Sequence, residues 1–164
     1  MYWGLVVLVI LAGFWLHNRY SSESQDFPPI ETDPNDPLVL EAVALAKATI
    51  DEFRVLFLRY PKDAFVKLGF ESDRGVIEHL GAHVETIKGN EVSVFLVTPP
   101  ITHTGKMAHN YVCQLEDIED WQITDNAGNI YGGYIQRAMF TIAEREGIAL
   151  PPELKAMQDK YVDV

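Results

Sequence analysis

The chain has 164 residues and carries 13 Lys and Arg against 24 Asp and Glu, a formal net charge of −11. This acidity excludes the usual nucleic-acid-binding domains, because no excess of cations is present to neutralise phosphates, and we expect no nucleic-acid partner. The single cysteine, Cys113, excludes an internal disulfide and any multi-cysteine metal site. The length suits one domain with a short additional segment.

The N-terminal segment is apolar and carries no charge before His17 and Arg19. Aromatic residues stand near both of its ends, as they do at membrane interfaces, and the segment approaches the ~20 residues that a spanning helix needs. The sequence therefore predicts residues 1–20 as a transmembrane anchor, with a cleaved signal peptide as the alternative. Arg19 favours a cytoplasmic body under the positive-inside rule, and a periplasmic body is the alternative.

Residues 21–37 read as an acidic, proline-rich linker that contains no Lys or Arg. Its acidic side chains repel each other, and its prolines favour extended backbone, so that the segment forms a fairly stiff tether. The remaining residues, 38–164, are predicted to form one soluble domain. The prolines of the linker are Pro28, Pro29, Pro34 and Pro37.

A helix is predicted to begin at Asp36 and Pro37, because Asp is a good N-cap and Pro suits the first helical position. Pro61 is expected to stop it. Apolar residues recur at helical spacing between these two points and predict the buried face. They are Leu38, Ala42, Leu45, Thr49, Phe53, Leu56 and Phe57.

A succession of strands follows, and then a helix that Gly147 ends; Pro151 and Pro152 open a last short helix. This order predicts an α+β domain with a curled, mostly antiparallel sheet and a C-terminal helix. Neither a dinucleotide-binding glycine motif nor a P-loop is present, and the sequence predicts no cofactor. The strands are predicted at 65–70, 76–87, 92–98, 111–115, 121–124 and 130–134, with hairpin turns at 88–91 and 125–129.

His79 and His83 are the sharpest candidates for chemistry. Residues four apart share a face in a strand, and two imidazoles with Glu78 or Glu85 would be a zinc-compatible set. In an extended strand, however, the two histidines lie about 13 Å apart, so that a shared metal requires bending of the strand or a further ligand, such as His103 or His109. The alternative is that both histidines are solvent-facing or hydrogen-bonding.

Three other groups have simpler explanations. The acidic run 116–120 and the Asx-rich stretch 125–129 are both compatible with calcium, but the calcium-loop pattern is absent and a hairpin turn explains the second stretch. Cys113 stands in an apolar strand, where we expect a buried, unreactive thiol.

An ordered set of short motifs resembles one bacterial family. Phe65-Val66-Lys67 is followed by Glu78-His79, then by Asp120-Trp121, and then by Gly132-Gly133-Tyr134. Together with the first helix, these motifs resemble the family named domain of unknown function 2314, the YegJ-like domain, over roughly residues 38–144. The sequence departs from that family where Leu80-Gly81 replaces a Trp that usually follows Glu-His closely.

The resemblance implies that six residues belong to one recurring framework, and Tyr134 adjoins it. A glycine pair permits close backbone approach, and Trp121 would place a large ring against that gap. Such a corner is either a ligand groove or a structural lock. The framework residues are Glu78, His79, Asp120, Trp121, Gly132 and Gly133.

Two functions are compatible with these patterns. The first is a membrane-anchored, non-enzymatic domain that binds a protein or a small ligand, because no convincing catalytic constellation occurs. The second is a metal-dependent, zinc-type hydrolase or a metal-binding protein that uses His79 and His83.

Overall fold

The computed structural model describes residues 33–71, 75, 77–97 and 109–164. The predicted anchor at 1–20 and most of the predicted linker at 21–37 lie outside the described residues. Among the residues that are described, no helix is long and apolar enough to cross a bilayer.

Helices and strands alternate in blocks along the described chain. Two helices come first, then a run of strands, and then two further helices separated from the chain end by a short strand. The elements are α1 (Pro37–Ala48), α2 (Ile50–Arg59), β1 (Ala64–Glu71), β2 (Ile77–Lys88), β3 (Glu91–Leu96), β4 (Asn110–Gln114), β5 (Ile118–Thr124), β6 (Ile130–Gly132), α3 (Tyr134–Arg145), α4 (Pro152–Gln158) and β7 (Tyr161–Val162).

The start of α1 is as predicted, because the Asp36 side chain accepts a hydrogen bond from the backbone N–H of Leu38 at 3.0 Å. The prediction of one unbroken helix up to Pro61 is wrong. The helix breaks at Thr49, whose hydroxyl donates to the Leu45 carbonyl at 2.9 Å and lies 2.9 Å from the Tyr134 hydroxyl. The apolar stripe also differs from the prediction, since Ala46 is buried and Leu45 is exposed.

The strands form one open sheet in the order β4-β3-β2-β1-β5-β6-β7. All neighbours are antiparallel except β6 and β7, which are parallel. The α+β class and the mostly antiparallel sheet are therefore confirmed, as is the hairpin between β2 and β3. Two registers shift by one residue, at Lys67/Leu68 against β5 and at Val84/Thr86 against β3, and such bulges increase local twist.

The C-terminal part departs from the predicted pattern in two places. Tyr134, expected at the end of a strand, is the first residue of α3, because the chain turns at Gly133 with φ +63°. The strand β7 was not predicted, since two residues are too short to show alternation. The helix α4 begins at Pro152 as expected.

The core lies between the helices and one face of the sheet. Alternate side chains of each strand point to that face, and they pack with residues of α1, α2 and α3 such as Ala46, Phe53 and Met139. The opposite face is called the outer face below. From β1 it carries Phe65, Lys67 and Gly69, and from β2 it carries His79, Gly81 and His83.

Candidate functional site

Trp121 is the centre of a tightly packed corner where β5 meets α1 and α3. Its side chain is 1% exposed, and its ring nitrogen donates to the Ala46 carbonyl at 3.1 Å. Its ring centroid lies 5.4 Å from that of Phe53 and 5.9 Å from that of Tyr134. The indole nitrogen is thus hydrogen-bonded, and two aromatic rings pack against the indole ring.

The glycine pair closes this corner. A Cβ added to Gly132 would lie 2.2 Å from the Trp121 carbonyl oxygen and 2.7 Å from its ring, and the backbone there has φ +73°. The N–H of Gly133 donates to the same carbonyl at 2.7 Å. Only glycine fits at position 132, because any side chain would collide with the backbone of the neighbouring strand.

Asp120 completes the corner by capping α3 from another element. Its carboxylate accepts hydrogen bonds from the backbone N–H groups of Tyr134 at 3.1 Å, Ile135 at 2.9 Å and Trp121 at 2.9 Å. The residue that precedes α3 is Gly133, which has no side chain to do this. Burial raises the pKa of Asp120 to about 6, although the three N–H donors and Lys67 act in the opposite direction. We define the corner as Asp120, Trp121, Gly132, Gly133 and Tyr134.

Lys67 lies next to the corner on the central strand β1, opposite Asp120 in the register. The residue is only 8% exposed. Burial lowers the pKa of its ammonium, while the charges of Asp120 and Glu119 act to raise it. A buried lysine needs such carboxylate neighbours, because an uncompensated charge in the interior costs several kcal/mol.

His79 and Glu119 meet across β1, although they belong to β2 and β5. The Glu119 carboxylate lies 2.5 Å from Nδ1 of His79. The side chain can cross because the intervening residue is Gly69, where an added Cβ would lie 2.7 Å from a Glu119 carboxylate oxygen. The two side chains are 19% and 24% exposed. We define the outer-face cluster as Lys67, Gly69, His79 and Glu119.

His83 is held separately from the outer-face cluster. Its Nε2 lies 2.7 Å from the Lys62 carbonyl, to which it donates, and its ring packs edge-on against Phe65 with centroids 5.2 Å apart. His79 pairs with Gly69 in the register, whereas His83 pairs with Phe65. The structure therefore gives the two predicted metal ligands different partners, and in the described ranges no three His, Cys, Asp or Glu side chains converge as a metal-binding group.

The remaining sequence candidates are distributed over turns and strands. The acidic run divides between a 3₁₀ turn, Leu115–Asp117, and β5. Asp125 accepts hydrogen bonds from the N–H groups of Ala127 and Asn129, both at 2.9 Å, as in the predicted hairpin turn. Cys113 is buried as predicted, and its burial raises the pKa of the thiol to about 11.

The structure thus separates the predicted framework into two groups. The corner contains Asp120, Trp121 and residues 132–134. His79 belongs to the outer-face cluster, whereas Glu78 pairs with Phe70 near the start of β2. Lys67, Gly69 and Glu119 were not singled out as site residues. The available signal was a lysine and a glycine within an otherwise apolar strand, and an acidic pair within β5.

The fold and the two groups define a small α+β domain with an open seven-stranded sheet, a closed corner at the middle of β5 and a polar cluster on the outer face. The family described as "Uncharacterized protein conserved in bacteria (DUF2314)" matches residues 36–146, which are 111 of the 164 residues. The chain belongs to this bacterial family, as the resemblance predicted. No curated protein and no solved structure matches the chain.

Proposed function

We propose that the chain is a membrane-anchored binding protein whose outer-face cluster binds a small polar ligand. The observation that carries the proposal is the contact between His79 and Glu119 over Gly69, beside the buried Lys67. These four residues come from three strands and leave the side chains of His79 and Glu119 partly exposed on one face of the sheet.

Stability does not explain this arrangement. A glycine within a strand weakens it, because glycine loses backbone entropy and leaves no side chain to pack. A contact between a histidine and a carboxylate near the surface returns at most about 1 kcal/mol. The buried lysine adds a desolvation cost. Two unfavourable choices beside a weak contact are typical of a site that is maintained for binding.

The cluster offers a defined hydrogen-bonding pattern to a ligand. A carboxylate can only accept, so that Nδ1 of His79 donates to Glu119. In the neutral imidazole, the other ring nitrogen, Nε2, carries a lone pair and lies on the far side of the ring from Nδ1. A ligand that donates an N–H or O–H to Nε2 of His79 would therefore complement the cluster.

The proposal is tested by amide NMR spectra of the full chain in lipid nanodiscs, titrated with succinate, glucose and spermidine as anionic, neutral and cationic probes. We expect at least one probe to shift the signals of Lys67, Gly69, His79 and Glu119 at millimolar concentration. The E119Q variant should lose this response, and H83Q, the matched control on the same strand, should keep it. The proposal fails if no probe shifts these signals or if E119Q responds like the parent chain.

The anchoring is tested by membrane fractionation and by reporter fusions at both ends of the chain. We expect the full chain in the membrane fraction, deletion of residues 1–20 to release it, and the body on the cytoplasmic side. Recovery of the full chain in the soluble fraction would refute the anchor, and reporter activity outside the cytoplasm would place the body in the periplasm.

The alternative function, a zinc-type hydrolase or metal-binding protein, depends on His79 and His83. Elemental analysis of the natively purified full chain distinguishes it from the binding proposal. One transition metal per chain that is lost in both H79Q and H83Q would favour the alternative, whereas a metal-free chain that responds to a probe would favour the proposal.

A further inference from the structure

A groove lies on the helix-covered side of the sheet, opposite the outer face. The helix α2, the strand β6 and Val164 surround this groove, which has a volume of about 330 Å³, within the usual range for small-molecule sites. Four of its six lining residues are apolar or aromatic. The lining consists of Asp51, Glu52, Val55, Leu56, Tyr131 and Val164.

Some residues that line the groove pack against the core, whereas another is exposed to solvent. Leu56 packs against the core, as does Tyr131. Val55, by contrast, is 51% exposed. An apolar surface of this kind, framed by charged residues, is typical of a ligand groove.

The charges at the groove select its ligand. The two charged lining residues, Asp51 and Glu52, are both acidic. Arg54 lies 3.6 Å from Asp51, but both side chains are largely exposed, and such pairs are weak. The face of an aromatic ring such as that of Tyr131 also attracts cations. Burial raises the pKa of the Tyr131 hydroxyl, Asp125 raises it further, and Arg59 lowers it by less.

We propose that this groove binds a cationic amphiphile, that is, an organic ammonium ion joined to an apolar group of about the size of a phenyl ring. The apolar group would lie on Val55, Leu56 and Tyr131. The ammonium would lie between the Tyr131 ring and the carboxylates of the first turn of α2. This site is separate from the outer-face cluster and does not depend on its function.

Three probes that differ in charge test the proposal, namely 2-phenylethylammonium, 2-phenylethanol and 3-phenylpropionate. Each is titrated against the full chain in nanodiscs, and the amide signals of Glu52, Val55 and Tyr131 are followed. We expect the ammonium ion to bind most tightly and the carboxylate most weakly. The double variant D51N/E52Q should weaken binding of the ammonium about fivefold, as expected for exposed charge interactions, and leave the alcohol unchanged.

A matched pair of tryptophan variants locates the binding. V55W should fill the groove and abolish binding of all three probes. L58W introduces the same ring one helical turn later, at a residue that is 83% exposed and does not line the groove, and it should bind like the parent chain. Circular dichroism checks that both variants fold. Equal binding of the three probes, or unchanged binding by V55W, would overturn the proposal.

Discussion

The corner and the outer-face cluster share the strand β5 but are built differently. In the corner, the carboxylate of Asp120 and the carbonyl of Trp121 are used by backbone N–H groups, and Gly132 removes the space that a ligand would need. In the outer-face cluster, Gly69 instead opens space that the side chain of Glu119 uses to reach His79. A glycine thus closes one region and opens the other.

The bulge at Lys67/Leu68 places one carboxylate of each region against Lys67. Adjacent residues of a regular strand point to opposite faces, whereas a bulge sets two residues of one strand against one of its partner. Glu119 and Asp120 are the residues placed in this way, and Lys67 lies near both. One change of register therefore supplies a cap for α3 and a carboxylate for the outer face.

The largest expected effect comes from substitution in the corner. G132A should lower the free energy of unfolding by more than about 3 kcal/mol, because the new Cβ meets backbone at 2.2 Å. Urea denaturation measures the change. The matched control is G128A, where φ is +89° but no atom lies within 4 Å of the new Cβ, so that only about 1 kcal/mol of backbone strain is expected. Equal losses would show that the corner is not closed by contact.

Removal of the Asp120 carboxylate should have the next largest effect. D120A leaves the N–H groups of Tyr134 and Ile135 without their acceptor and leaves Lys67 without a buried counter-charge. We expect a loss of about 3 kcal/mol in urea denaturation. D125A removes a carboxylate that also accepts backbone hydrogen bonds, but in an exposed turn, and it should cost clearly less. A smaller loss for D120A than for D125A would contradict the capping role.

The same glycine-to-alanine change should have a different result in the outer-face cluster. G69A displaces the Glu119 side chain, which can move into solvent, so that we expect a change in stability of less than about 1 kcal/mol. The contact between Glu119 and His79 should be lost. The ¹⁵N chemical shift of His79 Nδ1 in the full chain measures this loss, and E119Q should give the same shift. Unchanged His79 signals in G69A would show that the glycine is not what admits the carboxylate.

A pH dependence of stability is also expected from Asp120. Its pKa is about 6 in the folded chain and about 4 in an unfolded one. The folded chain therefore binds the proton more tightly, and the contribution of Asp120 is fully present below pH ~4 and lost as the pH rises through ~6. Urea denaturation of the parent chain and D120N at both ends of this window measures the difference. The stability advantage of the parent chain should decrease with rising pH, and an increase would reverse the assignment.

The sequence predicted the fold where local patterns determine it. The cap at Asp36, the turn at Gly89-Asn90 and the start of α4 at Pro152 depend on residues within a few positions. The break at Thr49 could not be predicted in this way, because its partner Tyr134 is 85 positions away.

The candidate site was predictable only in part, because its contacts also join residues that are distant in the sequence. The spacing of His79 and His83 suggested a pair, yet the partner of His79 is Glu119, which is 40 positions away on a strand that is not its neighbour. That contact requires both Gly69 and the bulge, and a bulge leaves no regular sequence pattern. The corner was more predictable from the sequence, because Asp120-Trp121 and Gly132-Gly133 are consecutive in the ordered set of motifs that carries the resemblance.

The contact over Gly69 also has a consequence for the order of folding. β1 and β2 are joined by a short connection, whereas β1 and β5 are separated by some fifty positions, and distant pairings form late because loop closure must precede them. His79 can reach Glu119 only when β1 is already seated between both neighbours. The imidazole of His79 is therefore a natural reporter of completed sheet assembly, and its signal in a refolding experiment marks the moment when the last central pairing forms.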